Sequence, residues 1–355
     1  MKILSIGPIS PFRGGIAKFH QSLNIELSKS STVEVLNFKK LYPNLLFPGK
    51  SQFDDSSKDF NSHRILKFYN IFTWFKGVQL INKFRPDYII FHYWHWAFLP
   101  MFLYFSKKNS KIKKRIILHN VISRENLFFE KLFLKILLNN NDEFIVMNNY
   151  SYEIIKRLNP LARVNKIYHP IYNVDNSKSV ISTESSDTVL FFGLVRKYKG
   201  LDILIEAMNQ VNNKIQLLVV GEFYDSKQKY LNLVKKLNLQ NRVRIFDSYI
   251  SEEKIQDYFN QVDLVVLPYK KSSQSGVLSL AYNFDKPVLV TDSGGLVDYV
   301  LKNKTGLISK SNPSSIAEKI NLFFKNKENS FSKEDIKTLK IQMTWKNFVD
   351  NLNLK

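Results

Sequence analysis

The sequence predicts an α/β protein made of two doubly wound domains, each a parallel sheet covered by helices. Three observations carry this expectation. Apolar strand-like runs alternate with helix-period patterns along the chain, as in successive βαβ units. The length, 355 residues, suffices for two domains with a core each. The alternation breaks at Asn173–Asp187, NVDNSKSVISTESSD, a Ser-, Asn- and Asp-rich stretch that reads as a linker. The expected organisation is therefore an N-terminal domain over 1–172, a linker over 173–187 and a C-terminal domain over 188–332. A helix within 333–355 is expected to pack back on the first domain.

Strands in the first half are expected at Ile3–Ile6, Val33–Leu36, Tyr88–His92, Arg115–His119 and Glu143–Met147. Helices are expected between them at Ala17–Lys29, Ile65–Phe84, Asn126–Leu138 and Tyr150–Leu158. The second half repeats the rhythm, with strands at Val189–Phe192, Ile215–Val220, Val243–Phe246, Leu264–Leu267, Pro287–Thr291 and Gly306–Ile308. Its helices fall at Leu201–Val211, Lys227–Leu237, Glu252–Gln261, Val277–Phe284 and Pro313–Phe324. In such domains ligands bind beyond the carboxyl ends of the strands.

Composition narrows the function classes. An apolar content of 44% marks a globular chain. The absence of cysteine excludes disulfides, thiolate metal sites and a cysteine nucleophile, and fits a reducing, cytoplasmic setting. The opening MKILSIGPIS has no apolar region of signal-peptide length and reads as the first strand. Tyr88–Phe105 approaches membrane-spanning length, but with two histidines and Pro100 inside it it reads as a strand followed by a helix.

The net charge is +21. Residues 1–174 carry 26 basic and 11 acidic side chains and residues 175–355 carry 26 and 20, so the excess lies in the first half. Its densest run, KKNSKIKKR from Lys107 to Arg115, holds six cations in nine residues. Nucleic acid, anionic lipid and phosphorylated substrates would all be attracted to it. The alternative is compositional bias, since the chain is rich in Lys, Asn, Ile and Phe. No nucleic-acid-binding module is recognisable, so no nucleic-acid partner is expected. Peripheral contact with an anionic membrane, at the inner face of the plasma membrane, suits an aromatic helix beside this run.

The stretch Leu190–Met208, LFFGLVRKYKGLDILIEAM, is the most informative. An apolar strand turns at Gly193, Arg196 and Lys199 sit three apart in the loop, Gly200 closes it, and a helix follows. A helix N-terminus offers N–H groups and a partial positive charge, and cations add to both, so a diphosphate is the natural ligand. The alternative is an ordinary strand–helix loop with surface cations. A second stretch, LPYKKSSQSGVLSLAYNFDKPVLVTDSGGL from Leu267 to Leu296, leads from a strand through Ser275 and Gly276 into a helix at Val277. Small residues there let backbone N–H groups approach an anion closely. Gly14 and Gly15 in SPFRGGIAKF form a similar turn after the first strand.

The order FFG-x2-R-x2-KG, LIEAM, VVGE, ISEEKIQDYFNQVDLVVLPY, SQSGV, KPVLVT and GGL, spread over Thr188–Ser309, resembles the C-terminal domain of family 4 glycosyltransferases. These are retaining enzymes of the GT-B fold, in which two Rossmann-like domains face each other across a cleft. The resemblance implies a nucleoside-diphosphate-sugar donor held by the C-terminal domain and a glycan or lipid-linked acceptor held by the N-terminal one. It implies no cofactor and no metal, and places the protein in bacterial surface polysaccharide biosynthesis. By this similarity Arg196 and Lys199 grip the donor diphosphate and stabilise the leaving group. Ser275, Gly276 and Val277 offer N–H groups, and Gly14 and Gly15 face the donor phosphates or sugar. The leaving phosphate would help deprotonate the acceptor in a front-face route.

By the same similarity His119, ending RIILHN, contacts the donor sugar, the alternative being a structural histidine. In FHYWHW, His92, Trp94 and His95 suit acceptor binding or sugar stacking; their spacing could suit a metal, but no third ligand is evident. His169 in YHPIYN reads as structural. One departure limits the inference: many family members carry two glutamates eight positions apart where this chain has Gln274 and Tyr282. Gln274 can still bond a sugar hydroxyl, and Tyr282 would replace the ribose contact with its hydroxyl or by packing. Two other readings stay open: a nucleotide-sugar 2-epimerase of the same architecture and, on charge alone, a nucleic-acid-binding protein.

Overall fold

The computed structural model describes residues 1–41, 52–53, 60–121, 128–139, 142–172, 187–271, 275–301, 304–327 and 333–354. The chain forms two compact units, Met1–His169 with Trp345–Lys355, and Pro170–Thr344.

The first unit runs β1 (Lys2–Ile6), α1 (Gly15–Leu27), β2 (Thr32–Phe38), β3 (His63–Leu66), α2 (Ile71–Phe84), β4 (Tyr88–Tyr93), α3 (Leu99–Lys108), β5 (Lys113–Leu118), α4 (Phe128–Leu138), β6 (Glu143–Val146), α5 (Asn149–Leu158) and β7 (Arg163–Lys166). Its seven strands are ordered β3-β2-β1-β4-β5-β6-β7, and every pair is parallel. The central strands are buried along their length, β4 at every position. A parallel sheet covered on both faces requires such unbroken apolar runs. The order reverses between β1 and β4, so the crevice for a ligand opens at their carboxyl ends.

The second unit runs β8 (Thr188–Phe192), α6 (Leu201–Met208), β9 (Gln216–Val220), α7 (Lys227–Lys236), β10 (Val243–Phe246), α8 (Glu252–Asn260), β11 (Leu264–Leu267), α9 (Gly276–Asn283), β12 (Val288–Thr291), α10 (Val297–Leu301), β13 (Gly306–Ser309), α11 (Pro313–Lys325) and α12 (Lys333–Gln342). Its six parallel strands are ordered β10-β9-β8-β11-β12-β13, and the reversal lies between β8 and β11. A core of Val, Leu and Phe from β8, β9 and β11 packs against α6 and α11. The last helix, α13 (Trp345–Asp350), belongs to the first unit. There Trp345 and Phe348 set their rings against Phe19 of α1, with centroids 5.0 and 5.4 Å apart.

Three elements differ from the pattern read in the sequence. β3 is a strand where a helix beginning at Ile65 was expected, and α2 starts only at Ile71, capped by the Asn70 side chain accepting from Phe72 N–H. The 333–355 stretch holds two helices rather than one, divided between the units. β7 is an additional edge strand. The expected linker lies almost wholly outside the described residues.

Candidate active site

In the second unit, the loops after β8 and β11 flank the reversal point and are locked together by close backbone contact. Gly193 leaves β8 with φ 90° and Gly200 closes the loop with φ 70°. A Cβ on Gly200 would lie 1.9 Å from the Pro268 carbonyl oxygen beyond β11, so only glycine allows this approach. Between the two glycines a 3₁₀ turn, Lys197–Lys199, carries the cations. It is pinned by the Lys270 N–H donating to the Tyr198 carbonyl (2.7 Å) and by the Lys270–Asp202 ion pair (2.7 Å).

Lys199 is buried, its ammonium 5.6 Å from the Tyr269 ring centre. The half-buried Arg196 guanidinium lies 4.7 Å over the Tyr224 ring, and its buried Nε–H finds no hydrogen-bond partner among the described residues. Such a group is costly to leave unmet and is suited to an incoming anion.

Helix α9 begins beside this loop. Ser275 caps it, Oγ accepting from Val277 N–H (3.2 Å) while sharing a hydrogen bond with the Tyr269 hydroxyl (3.1 Å). The Val277 N–H is therefore engaged by Ser275. Gly276 opens the helix, with Tyr172 the nearest atom to an added Cβ, at 3.5 Å. The two motifs meet at Gly193: a Cβ placed there would lie 3.3 Å from Val277 Cγ2 and 3.4 Å from Lys199 Nζ.

Tyr282 is placed differently. Every side chain from Val277 to Asn283 is buried, and the Tyr282 hydroxyl is engaged with Thr305 Oγ1 at 2.5 Å. Thr305 in turn donates to the Tyr299 carbonyl, so Tyr282 is the donor to Thr305. Burial pushes its phenol far above the ordinary range. Its polar atom is committed inside the unit and offers no open ribose contact. Gln274 lies outside the described residues.

In the first unit, β1, β4 and β5 bring their carboxyl ends side by side. Gly14, with φ 111°, precedes α1, and Gly14 and Gly15 are exposed with open space around an added Cβ. Below them lies a buried cluster of four imidazoles drawn from separate segments. His92 Nδ1 and His119 Nε2 share a proton across 2.9 Å. The His20 and His92 ring centres are 4.0 Å apart. Phe19 sets its edge or face against His119 (4.9 Å) and His169 (5.2 Å). Gly7 is glycine because a Cβ there would meet His92 Cβ at 2.9 Å.

Desolvation holds three of these imidazoles, His20, His92 and His119, neutral. His20 and His119 are pushed down to about 3, and His92 well below its usual value, with neighbouring imidazoles adding to burial for His92 and His119. His20 Nδ1–H donates to the Pro8 carbonyl (3.0 Å), so its Nε2 accepts from the Ser5 hydroxyl (2.6 Å). Buried His92 Nε2 has no partner among the described residues. A bare lone pair is tolerated there better than a bare N–H, which puts the His92 proton on Nδ1, donated to His119. His119 then carries its own proton on Nδ1.

The remaining aromatic-run residues separate from this cluster. Trp94 is buried in the core against Phe38 and Phe98. His95 caps the 3₁₀ turn Trp96–Phe98, its Nδ1 accepting from Ala97 N–H, and stacks on Trp96. Sequence reasoning missed His20 and the place of His169 in the cluster. Their only signal was rarity, six histidines in the whole chain.

Comparisons with known proteins bear on the class of protein. Residues 175–337 match the family described as glycosyl transferases group 1. An uncharacterized glycosyltransferase of Methanocaldococcus jannaschii is 25% identical over 339 residues, covering 92% of this chain and 90% of that protein. The GDP-mannose:glycolipid 4-beta-D-mannosyltransferase of Xanthomonas campestris pv. campestris is 34% identical over 110 residues, 30% of this chain and 31% of that protein. Among solved structures, Anabaena HepE in complex with UDP has a TM-score of 0.74 at 17% identity, covering 99% of this chain and 98% of that one. The fold is GT-B, with two Rossmann-like units. Residues 175–337 thus form a glycosyl transferases group 1 domain, and the chain is an enzyme of the glycosyltransferase type.

Proposed function

We propose that this enzyme is a retaining, family 4 type glycosyltransferase that moves a sugar from a nucleoside-diphosphate donor to a hydroxyl on a glycan or lipid-linked acceptor. The observation that carries the donor class is the meeting of Lys199 and Val277 at Gly193, beside the unpartnered Arg196 Nε–H. Two cations and a helix N-terminus at a sheet reversal point suit a diphosphate. In this reading Arg196 and Lys199 hold the phosphates and offset the charge that develops as the glycosidic bond breaks, without a metal. Ser275, Gly276 and Val277 line the phosphate seat, with Ser275 giving up its cap as the anion arrives, and Gln274 meets a sugar hydroxyl. The Gly14–Gly15 turn and His119 contribute from the first unit, His119 as a neutral hydrogen-bonding group to the donor sugar. The acceptor is assigned to the first unit, with His92 and His95 at the β4 end.

The setting proposed is bacterial surface polysaccharide synthesis in the cytoplasm, with the Lys107–Arg115 face touching anionic membrane. Among the described residues no helix is long and apolar enough to cross a bilayer, which leaves peripheral contact as the mode proposed.

The test is to titrate UDP, GDP and their sugars into the wild type and into Arg196→Ala and Lys199→Ala, by calorimetry and thermal shift. Each loss of a charge-assisted hydrogen bond, about 1.5–3 kcal/mol, should raise Kd by roughly tenfold or more. Wild-type indifference to every nucleotide would overturn the reading. Release of a 2-epimer from a UDP-sugar without acceptor would replace transfer with epimerisation.

A further inference from the structure

A second charged site lies at the opposite edge of the first unit's sheet. Tyr88, Lys113, Glu143 and Arg163 are the first residues of β4, β5, β6 and β7, and all four line one cavity of about 820 Å³. Lys107 from the last turn of α3 and Lys111 from the connection to β5 complete its rim. The cavity is thus at the amino ends of the strands, away from the crevice where a doubly wound sheet binds its substrates.

Its charges divide into two groups. The wall is neutralised: Lys114 pairs with Asp142 (3.4 Å) and Arg115 with Glu143 (3.1 Å). Arg115 also donates to the Leu352 and Asn353 carbonyls at 2.9 and 2.7 Å, fastening the C-terminal segment. These two cations are structural. The rim is not neutralised. Lys107, Lys111 and Arg163 are exposed and have no ion-pair or hydrogen-bond partner among the described residues, whereas Lys113 is partnered, donating to the Tyr88 hydroxyl at 3.4 Å and resting over its ring at 5.5 Å. The lysines of α3's last turn offset that helix's own C-terminal dipole. Lys111 and Arg163 lie outside any helix, so their charge faces the cavity without such a duty.

We infer that this cavity is a polyanion site, taking a ligand with two or more linked phosphates, either free in solution or as the headgroup of an anionic lipid. Three or four cations around one concavity recognise clustered phosphate charge by charge-assisted hydrogen bonds, with Arg163 able to bond two oxygens at once. A single carboxylate would leave most of them unmet. The inference gives the basic run of residues 107–115 a specific geometry: its paired members build the wall, and its unpaired members hold the ligand. It rests on the site alone and not on the donor reading.

The experiment uses the full-length protein carrying Arg196→Ala and Lys199→Ala, so that the other cationic loop does not take the probe. Tripolyphosphate is titrated by calorimetry, and sedimentation is measured with vesicles of phosphatidylcholine alone and with added phosphatidic acid. In this host the triple variant Lys107→Gln, Lys111→Gln, Arg163→Gln alters only exposed side chains, and its thermal midpoint serves as the folding control. Saturable tripolyphosphate binding that weakens tenfold or more in the triple variant identifies a soluble ligand. Sedimentation only with phosphatidic acid vesicles, lost in the same variant, identifies a lipid headgroup. No binding of either probe, or equal binding by host and triple variant, overturns the proposal. Tripolyphosphate binding that survives in this host, with the wild-type affinity for nucleotides unmoved by Arg196→Ala and Lys199→Ala, would sink the donor reading and leave this one standing.

Discussion

Replacing Gly193 with alanine tests whether the phosphate seat is where the two loops of the second unit converge. Two costs follow from the geometry. At φ 90° a side-chain-bearing residue is strained, by about 1–3 kcal/mol. The new methyl would also sit 3.3 Å from Val277 Cγ2 and 3.4 Å from Lys199 Nζ, tight enough that one must give by a few tenths of an ångström. The ammonium, at the end of a flexible chain, gives more readily than the start of α9. For a domain of this size each kcal/mol lowers Tm by about 2–4 °C, so a fall of roughly 5 °C is expected with an unchanged circular dichroism spectrum. Displacing Lys199 costs most of one charge-assisted bond to the donor, roughly a tenfold rise in the Kd of the preferred nucleoside diphosphate. Calorimetry on folded protein decides it. A variant with the expected Tm loss and a Kd within about twofold of wild type would refute the placement of the diphosphate at this junction.

Two further outcomes follow from buried groups. His20 and His119 have folded values near 3 against 6.5 when unfolded, so the unfolded chain binds more protons between these limits and stability rises with pH across that window. Their full contribution is present above pH 6.5, and acidification to pH 5 removes about 2 kcal/mol for each. All four tryptophans lie in the first unit, so tryptophan fluorescence during urea unfolding at pH 7.5 and 5 reports it selectively; an unchanged midpoint would remove the cluster from the account. Tyr282→Phe should cost about 1 kcal/mol through the lost bond to Thr305, with nucleotide affinity unchanged, whereas a tenfold affinity loss would return Tyr282 to the ribose contact.

The sheets were legible because their strands are short apolar runs bounded by breakers. VLFF before Gly193 and LVVL before Pro268 admit few other readings. What failed lies at sheet edges and inside all-buried helices. β3, HRIL, joins a helix-like run with only Asn70 to mark the boundary, and β7, RVNK, is polar with both ends exposed. In α9 burial on all sides removes the periodicity that would tell a ligand-facing position from a core one, so Tyr282 could be given a ligand it does not face. Trp94 looked like a stacking platform because an aromatic's burial cannot be read from its neighbours. The histidine cluster was hidden for a different reason. His20, His92, His119 and His169 come from four segments, and only the sheet order β1-β4-β5 brings three of those segments together.

The candidate site residues of the two units differ in character, neutral imidazoles in the first and cations in the second, and this constrains the chemistry. General acid–base catalysis is most effective when the group titrates near the working pH. His20, His92 and His119 are held far below it by burial, so on the proposed reading His119 orients a sugar and does not shuttle a proton. The buried His92–His119 bond suits that task, because it fixes which nitrogen of His119 carries hydrogen. On the proposed reading charge compensation comes from the second unit, where Arg196 and Lys199 rest on aromatic faces. Aromatic rings favour a cation without neutralising it, so both remain attractive to a leaving diphosphate. On that reading, orientation by neutral rings and charge from cations resting on aromatic faces is a division that needs no titrating residue, and it assigns the base role to the departing phosphate.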